Sequence, residues 1–166
     1  NQPRASFITQ LKLLLDSNSA EARETRAETI ERLVRNVFLA NEPFFLGVWL
    51  LDLDGNVLMQ STPEALTLES DQSTSLTFLT AQALARSEQE LNTGAIVIER
   101  REERQHIETV NLVIDAENEP IAYFIVDLNV DTLILNHIQN SNETLPAYTF
   151  LIHSSGETIS LQEIRD

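Results

Sequence analysis

Residues 47–61, GVWLLDLDGNVLMQS, decide the fold. An apolar run from Val48 to Leu51 enters the tetrad Asp52-Leu53-Asp54-Gly55, and a second apolar run, Val57 to Met59, leaves it. Asp-Gly or Gly-Asn supplies the positive φ angles that a tight primed turn requires, so the stretch predicts a β-hairpin. A chemical reading of the same letters competes with the structural one. Two aspartates two residues apart after a hydrophobic strand are also where a nucleophile and its acid/base partner would sit.

Upstream, Asn41-Glu42-Pro43 closes a helix, because the residue before proline avoids helical angles and proline cannot continue the ladder. That helix is expected from about Ala20 to Ala40, with Ile30, Leu33, Val34, Val37 and Phe38 as its apolar stripe and Glu28/Arg32 and Glu31/Arg35 as supporting pairs. Its first half, EARETRAET, is polar, so only the later turns should dock on a core, leaving the early turns to solvent or a twin subunit. Before it, Phe7, Ile8, Leu11, Leu14 and Leu15 recur at helical spacing after Ser6, a candidate N-cap. The chain opens inside this pattern at Asn1 with no signal peptide before it, and is expected to be a piece of a longer protein.

Downstream, Ser61 to Ser75 reads as a polar loop. Leu76 to Leu91 returns to helical spacing through Leu76, Leu79, Ala83, Leu84 and Leu91, and Asn92-Thr93-Gly94 stops it. Three strands follow: Ala95 to Arg101, Ile107 to Asp115 and Ile121 to Leu128, the last two joined by the turn AENEP. Asn129 can cap a short helix from Val130 to Ile138, and a last hairpin spans Tyr148 to Ser160. Consecutive strands joined by tight turns, with segregated helices, predict an α+β domain built on an antiparallel sheet. GVWLL and IAYFIVDL alternate poorly, as strands covered on both faces do. One face would take the long N-terminal helix and the other the Leu76 to Leu91 helix, where a small cavity could form.

At 166 residues the chain can bury a core without staples, and it has no cysteine, which excludes disulfides, zinc-thiolate sites and cysteine nucleophiles. Twenty-six acidic against eleven basic residues give a net charge of −15, which repels a phosphate backbone and excludes nucleic acid as a natural partner. Lys12 is the sole lysine. No run of about 20 apolar residues is present to span a membrane.

The element order and three pieces of sequence resemble the extracytoplasmic Cache domains, the PAS-like sensor modules of bacterial receptors. The pieces are the helix running into GVWLLDLDGNVLMQS, the segment LVIDAENEPIAYFIVDLNVDTLI (Leu112 to Ile134) with its Asp127-Leu128 pair, and FLIHSSGETIS (Phe150 to Ser160). The family's usual turn glycine is missing from AENEP, and Ala122 stands where glycine is common. The resemblance implies N-terminal helices over 1–46, a PAS-like sensor core over 47–140, and a terminal hairpin over 141–166. That hairpin either closes the first sheet or opens a second lobe, since FLIHSSGETISL echoes WLLDLDGNVLMQ. It further implies a non-catalytic, periplasmic or extracellular part of an inner-membrane receptor such as a histidine kinase, chemotaxis receptor or diguanylate cyclase. A homodimer through the N-terminal helix would fit such a receptor.

The aspartate pair also resembles the nucleophile motif of haloacid-dehalogenase-type phosphatases, but the set is incomplete. Asn56 replaces the usual Thr or Val, no lysine follows, no acidic pair closes a late strand to hold magnesium, and the parallel βαβ alternation is absent. A turn is the better reading of Asp52 and Asp54. An EF-hand fails at Leu50. Asp115, Glu117 and Glu119 could collect a cation, though acidic turns are usually solvated. His106, His137 and His153 lack ligand spacing and read as surface or satisfied core histidines. No cofactor is called for, and Asn142-Glu143-Thr144 is a short sequon of little weight.

For ligand binding, Tyr123, Ile125 and Asp127 share one face of their strand by the period of two. Trp49 would be a wall, and Arg100 or Arg104 could hold a ligand carboxylate bidentately. By the resemblance, Asp127 matches a strand-end aspartate that contacts a ligand amine, so the ligand would be an amino acid, organic acid or amine. The structural alternatives are a core Tyr123 and Trp49, an Asp127 that bonds the next helix start, and arginines paired with Glu99, Glu102 and Glu103. A sheet face filled by Trp49 and Tyr123 would point instead to a pocketless protein-interaction module.

Overall fold

The computed structural model describes residues 2–36, 44–61, 69–86, 94–101, 104–129, 132, 150–152 and 158–160, and at 2–4, 99–101, 104–105, 150–152 and 158–160 the backbone alone. The expected end of the second helix near Ala40, the Asn92-Thr93 stop, the body of the helix from Val130 to Ile138, His137, His153 and the Asn142 sequon lie outside the described residues.

Two helices lead the chain. α1 (Gln2–Leu15) starts a turn before Ser6, so Ser6 lies inside it and is not its N-cap. Pro3 explains the earlier start: it is tolerated in a first turn, where its missing N–H has no intrahelical acceptor to satisfy. α2 (Ala20–Val34) is capped by Ser19, whose hydroxyl oxygen accepts from the Ala22 N–H at 3.2 Å. Leu11 and Leu14 of α1 and Ile30 and Val34 of α2 are buried, while Glu21, Arg23, Glu24 and Thr25 are exposed. Only the late turns of α2 dock, as its polar-then-apolar pattern requires. A pair of helices, rather than one long helix, therefore covers this side.

The next elements are β1 (Phe45–Leu51), β2 (Val57–Ser61), α3 (Leu76–Arg86), β3 (Ala95–Arg101), β4 (Arg104–Ile114) and β5 (Pro120–Leu128). The five strands form one sheet in the order β2-β1-β5-β4-β3, every neighbouring pair antiparallel. This is the expected PAS-like α+β arrangement. β6 (Phe150–Ile152) and β7 (Thr158–Ser160) pair as a separate two-stranded sheet. The sheet's two faces carry two cores. Val48, Leu50, Met59, Val113, Ala122 and Val126 pack with α1 and α2, and Trp49, Leu51, Val97, Val110, Tyr123 and Ile125 pack with Phe78 and Ala81 of α3. Burial on both faces is why β1 and β5 read as near-continuous apolar runs.

The β1–β2 connection is wider than the expected two-residue turn. The Asp52 carboxylate fills it: Oδ1 accepts from the N–H groups of Asp54 at 2.9 Å and Asn56 at 2.8 Å, and Oδ2 from the Asn56 side-chain amide at 2.8 Å. Gly55 sits at φ +94°, and a Cβ there would fall 2.9 Å from the Ser73 Cα and 3.1 Å from a Phe78 ring carbon. Glycine is needed both for its φ and for the close approach of the segment that starts α3. That segment is tied on by Val57 N–H to Ser70 O and Gln72 N–H to Gly55 O, each 2.9 Å. Ser75 then caps α3, its hydroxyl oxygen accepting from the Phe78 N–H at 3.1 Å.

In the β4–β5 turn, Asn118 takes the left-handed conformation (φ 65°) that a glycine would otherwise supply. Asp115 Oδ1 accepts from the N–H groups of Glu117 and Glu119, and Oδ2 accepts from Lys12 Nζ, all at 3.0 Å. The sole lysine thus ties α1 to this turn. The backbone bond from Glu119, then the Lys12 ammonium, holds the Asp115 carboxyl below its ordinary value of 3.8. A depressed carboxyl stabilises the fold above its unfolded pKa, and the contribution is lost as pH falls through the folded one. Acid titration followed by circular dichroism should therefore show Asp115→Asn less stable than the natural chain at neutral pH. The two should converge as pH falls through the depressed value of the folded Asp115 carboxyl.

Candidate functional site

The strand register assembles the site on the α3 side of the sheet. β5 turns Tyr123, Ile125 and Asp127 to that side, as the period of two predicts. On β1, Trp49 stands opposite Ile125 and Gly47 opposite Asp127. On β4, Val110 stands opposite Ile125 and Glu108 opposite Asp127. Two carboxylates therefore face each other across neighbouring strands, and both are 0% exposed. His106, two residues before Glu108, and Thr77, in the first turn of α3, are also buried.

These four side chains bond in pairs. His106 Nδ1 lies 2.7 Å from Asp127 Oδ2, and the Thr77 hydroxyl is hydrogen-bonded to Glu108 Oε2. Trp49, Thr77, Glu108 and Asp127 each have at least one further interaction. Apolar side chains enclose the cluster on the sheet, and Phe78 meets the Tyr123 ring edge-on with centroids 5.8 Å apart. Burial pushes the Tyr123 phenol above its ordinary value; the Arg86 charge opposes this and the Asp52 and Asp54 carboxylates add to it. The β1–β2 turn thus stands at the Tyr123 end of the site.

Of the residues expected to bind ligand, Trp49, Tyr123 and Asp127 come together on one sheet face, and all three are buried. Asp127 bonds His106, and Asn129 Oδ1 accepts from the Thr132 N–H at 3.2 Å. Arg100 pairs in register with Gln105, and Arg104 with Arg101. The side chains of both arginines lie outside the described residues. His106 is a satisfied core histidine. The acidic turn at Asp115 is bonded to Lys12, and among the described residues no group of three or more His, Cys, Asp or Glu side chains is arranged to hold a metal.

Glu108 and Thr77 are the members that the sequence reading passed over. Glu108 carries a signal: in IETVNLVID it alternates in phase with Val110 and Leu112, which puts a carboxylate on an apolar face. Thr77 carries none, because the apolar stripe of α3 misleads. Leu76 and Leu79 are each 50% exposed and Ala83 is exposed, while Thr77, Phe78 and Ala81 face the sheet. The Ser75 cap and the Thr77–Glu108 bond are made with Phe78, Ala81 and Ala85 turned toward the sheet.

The sequence matches no protein-family model and no curated protein. Solved structures do match in fold. One is an extracellular ligand binding receptor from Desulfohalobium retbaense DSM5692, with a TM-score of 0.54 and 15% identity over 97% of this chain and 30% of that one. Another is a domain of a sensory box/GGDEF family protein from Vibrio parahaemolyticus, with a TM-score of 0.50 and 12% identity over 98% of this chain and 69% of that one. The fold is the PAS-like fold of extracytoplasmic sensor domains. This chain spans less than a third of the Desulfohalobium receptor's length.

A buried hydrogen-bonded pair acts as a unit, so the paired site makes a quantitative prediction. A double-mutant cycle between His106→Ala and Asp127→Ala, measured by urea unfolding, should be non-additive by about 0.5–3 kcal/mol. The same cycle between His106→Ala and the remote Asp115→Ala should add to within about 0.5 kcal/mol.

Proposed function

We propose that this chain is an extracytoplasmic ligand-sensing domain of a bacterial signal-transduction receptor, and that it is not itself catalytic. The observation that carries this reading is the buried cluster of Asp127, Glu108, His106 and Thr77, held between the sheet and one short helix. Groups of this kind are costly to bury and concentrate at functional sites. The fold it shares with a ligand binding receptor and a sensory box protein supports the same reading.

The ligand in this reading is a small molecule: an amino acid, organic acid or amine. The carboxylates of Asp127 and Glu108 suit an ammonium group, Trp49 and Tyr123 form the apolar wall, and Arg100 and Arg104 are candidates for a ligand carboxylate. Because Asp127 and Glu108 are 0% exposed, entry requires α3 to move. Sensing is then a population shift between a closed and a lifted α3, passed through the sheet to α1 and α2. The exposed polar turns of α2 are available to a twin subunit, and the parent protein is membrane-anchored. No helix among the described residues is long and apolar enough to cross a membrane. The division into helices (1–46), sensor core (47–140) and terminal hairpin (141–166) belongs to this reading.

One observation favours a second reading. Trp49 is 0% and Tyr123 2% exposed, with Phe78 packed on Tyr123, so the apolar part of this face is filled. A pocketless protein-interaction or dimerisation module would have such a face.

Thermal-shift screening against amino acids, organic acids and amines separates the two. A ligand at 100 times its dissociation constant stabilises the folded state by about 2.7 kcal/mol, enough for a clear upward shift. Asp127→Ala and Tyr123→Ala should abolish that shift. A complete screen without a hit supports the interaction module.

A further inference from the structure

The two edges of the five-stranded sheet differ. At β2 the pairing with β1 shifts register between Leu50 and Leu51, and residues 70–72 lie against the strand's start, where the Val57 N–H donates to Ser70 O at 2.9 Å and Asn56 bridges to Asp71. That edge is blunted. β3 pairs with β4 through all seven of its residues without a register shift, and among the described residues no strand lies on its outer side. Its first four residues, Ala95-Ile96-Val97-Ile98, hold no charge and no proline, two devices that commonly protect an edge. The outward N–H and C=O groups of such a strand are a template for one more strand.

The side chains of β3 divide between the two faces. Val97 is buried on the α3 side with Ala95 packed near it, whereas Ile96 and Ile98 alternate to the other face and belong to neither core. The apolar layer under α1 and α2 draws on β1, β2, β5 and the Val113 end of β4, and on no residue of β3. Ile96, 56% exposed, is the most exposed large apolar side chain among the described residues.

We propose that β3 is a docking edge for the β3 of a second copy of this chain, paired antiparallel so that the two sheets continue into one. The strand is complementary to itself. Two-fold symmetry sets one residue opposite its own mate at the centre. With Val97 there, Ile96 of each copy faces Ile98 of the other on the open side, and Ala95 faces Glu99 at the ends. Centring on Ile98 would set Ile96 against Arg100 and Val97 against Glu99, and centring on Ile96 would pair only Ala95 to Val97 of the strand. Charge permits the approach. From Leu91 to Arg104, Glu99, Glu102 and Glu103 balance Arg100, Arg101 and Arg104, on a chain whose net charge of −15 otherwise drives copies apart. An edge pairing this short buries less than a standard stable interface, so the dimer is weak and depends on concentration. The proposal goes beyond the ligand-sensing reading, stands without it, and uses a surface other than the polar turns of α2.

Because the chain has no cysteine, single introduced cysteines test the register without background. Ile96→Cys and Ile98→Cys are oxidised separately and as an equal mixture. Directly opposed residues lie within the Cα separation that a disulfide accepts, whereas Ile96 and its own mate, or Ile98 and its own mate, are diagonal neighbours about 7–8 Å apart and lie beyond it. The mixture should give a cross-linked dimer of one variant with the other, and each variant alone should give little. Equal cross-linking in all three reactions, or none in any, overturns the proposal. Sedimentation equilibrium from micromolar to millimolar concentration gives an independent reading. The natural chain should dimerise, and Ile96→Lys should weaken the dimer by about tenfold or more, although it lowers the net negative charge, because symmetry places two lysines in each interface. Circular dichroism checks that this exposed position leaves the fold intact. A chain that stays monomeric, or a dimer that Ile96→Lys leaves unchanged, overturns the proposal.

Discussion

The opposition of Glu108 and Asp127 is the constraint around which the α3 side of the domain is arranged. Neither carboxylate is exposed, so each is satisfied from within, and their partners include His106 on the neighbouring strand for Asp127 and Thr77 across the helix-sheet interface for Glu108. The second bond lies on the face of α3 that also buries Phe78 and Ala81, while Leu76 and Leu79 are half exposed.

The opposite face follows the ordinary rule. Leu11, Leu14, Ile30 and Val34 close on the sheet as an apolar layer, and the one lysine binds the β4–β5 turn from above. The hairpin formed by β4 and β5 is common to both sides: it carries His106, Glu108 and Asp127 toward α3, and its turn is gripped by α1 through Lys12 and Asp115. A change at the polar cluster and a change at the helix pair therefore act on the same two strands.

Much of this was legible in the sequence, for identifiable reasons. The two strands around DLDG, the three late strands and their antiparallel order follow from apolar runs punctuated by Asp, Asn, Gly and Pro. The two-sided covering follows from the failure of GVWLL and IAYFIVDL to alternate. Tyr123, Ile125 and Asp127 share a face because side chains on a strand alternate with a period of two. The rest depends on particular side-chain contacts, some local and one distant. α1 runs through Ser6, and the turn at Asp52 is built around a carboxylate that accepts from three donors. Thr77 could not be found at all, since its importance comes from a glutamate thirty-one positions away.

The proposed sensing role requires that the buried cluster be reached by movement of α3 alone, over a sheet that stays closed. Native-state hydrogen exchange measures this directly, because amides released by local opening exchange with a smaller free energy than those released by global unfolding. The account predicts that the hydrogen-bonded amides of α3 exchange well below the global stability, while those of β4 and β5 exchange only at it. If the α3 amides exchange together with the sheet at the global value, the face is permanently sealed and the claim is wrong.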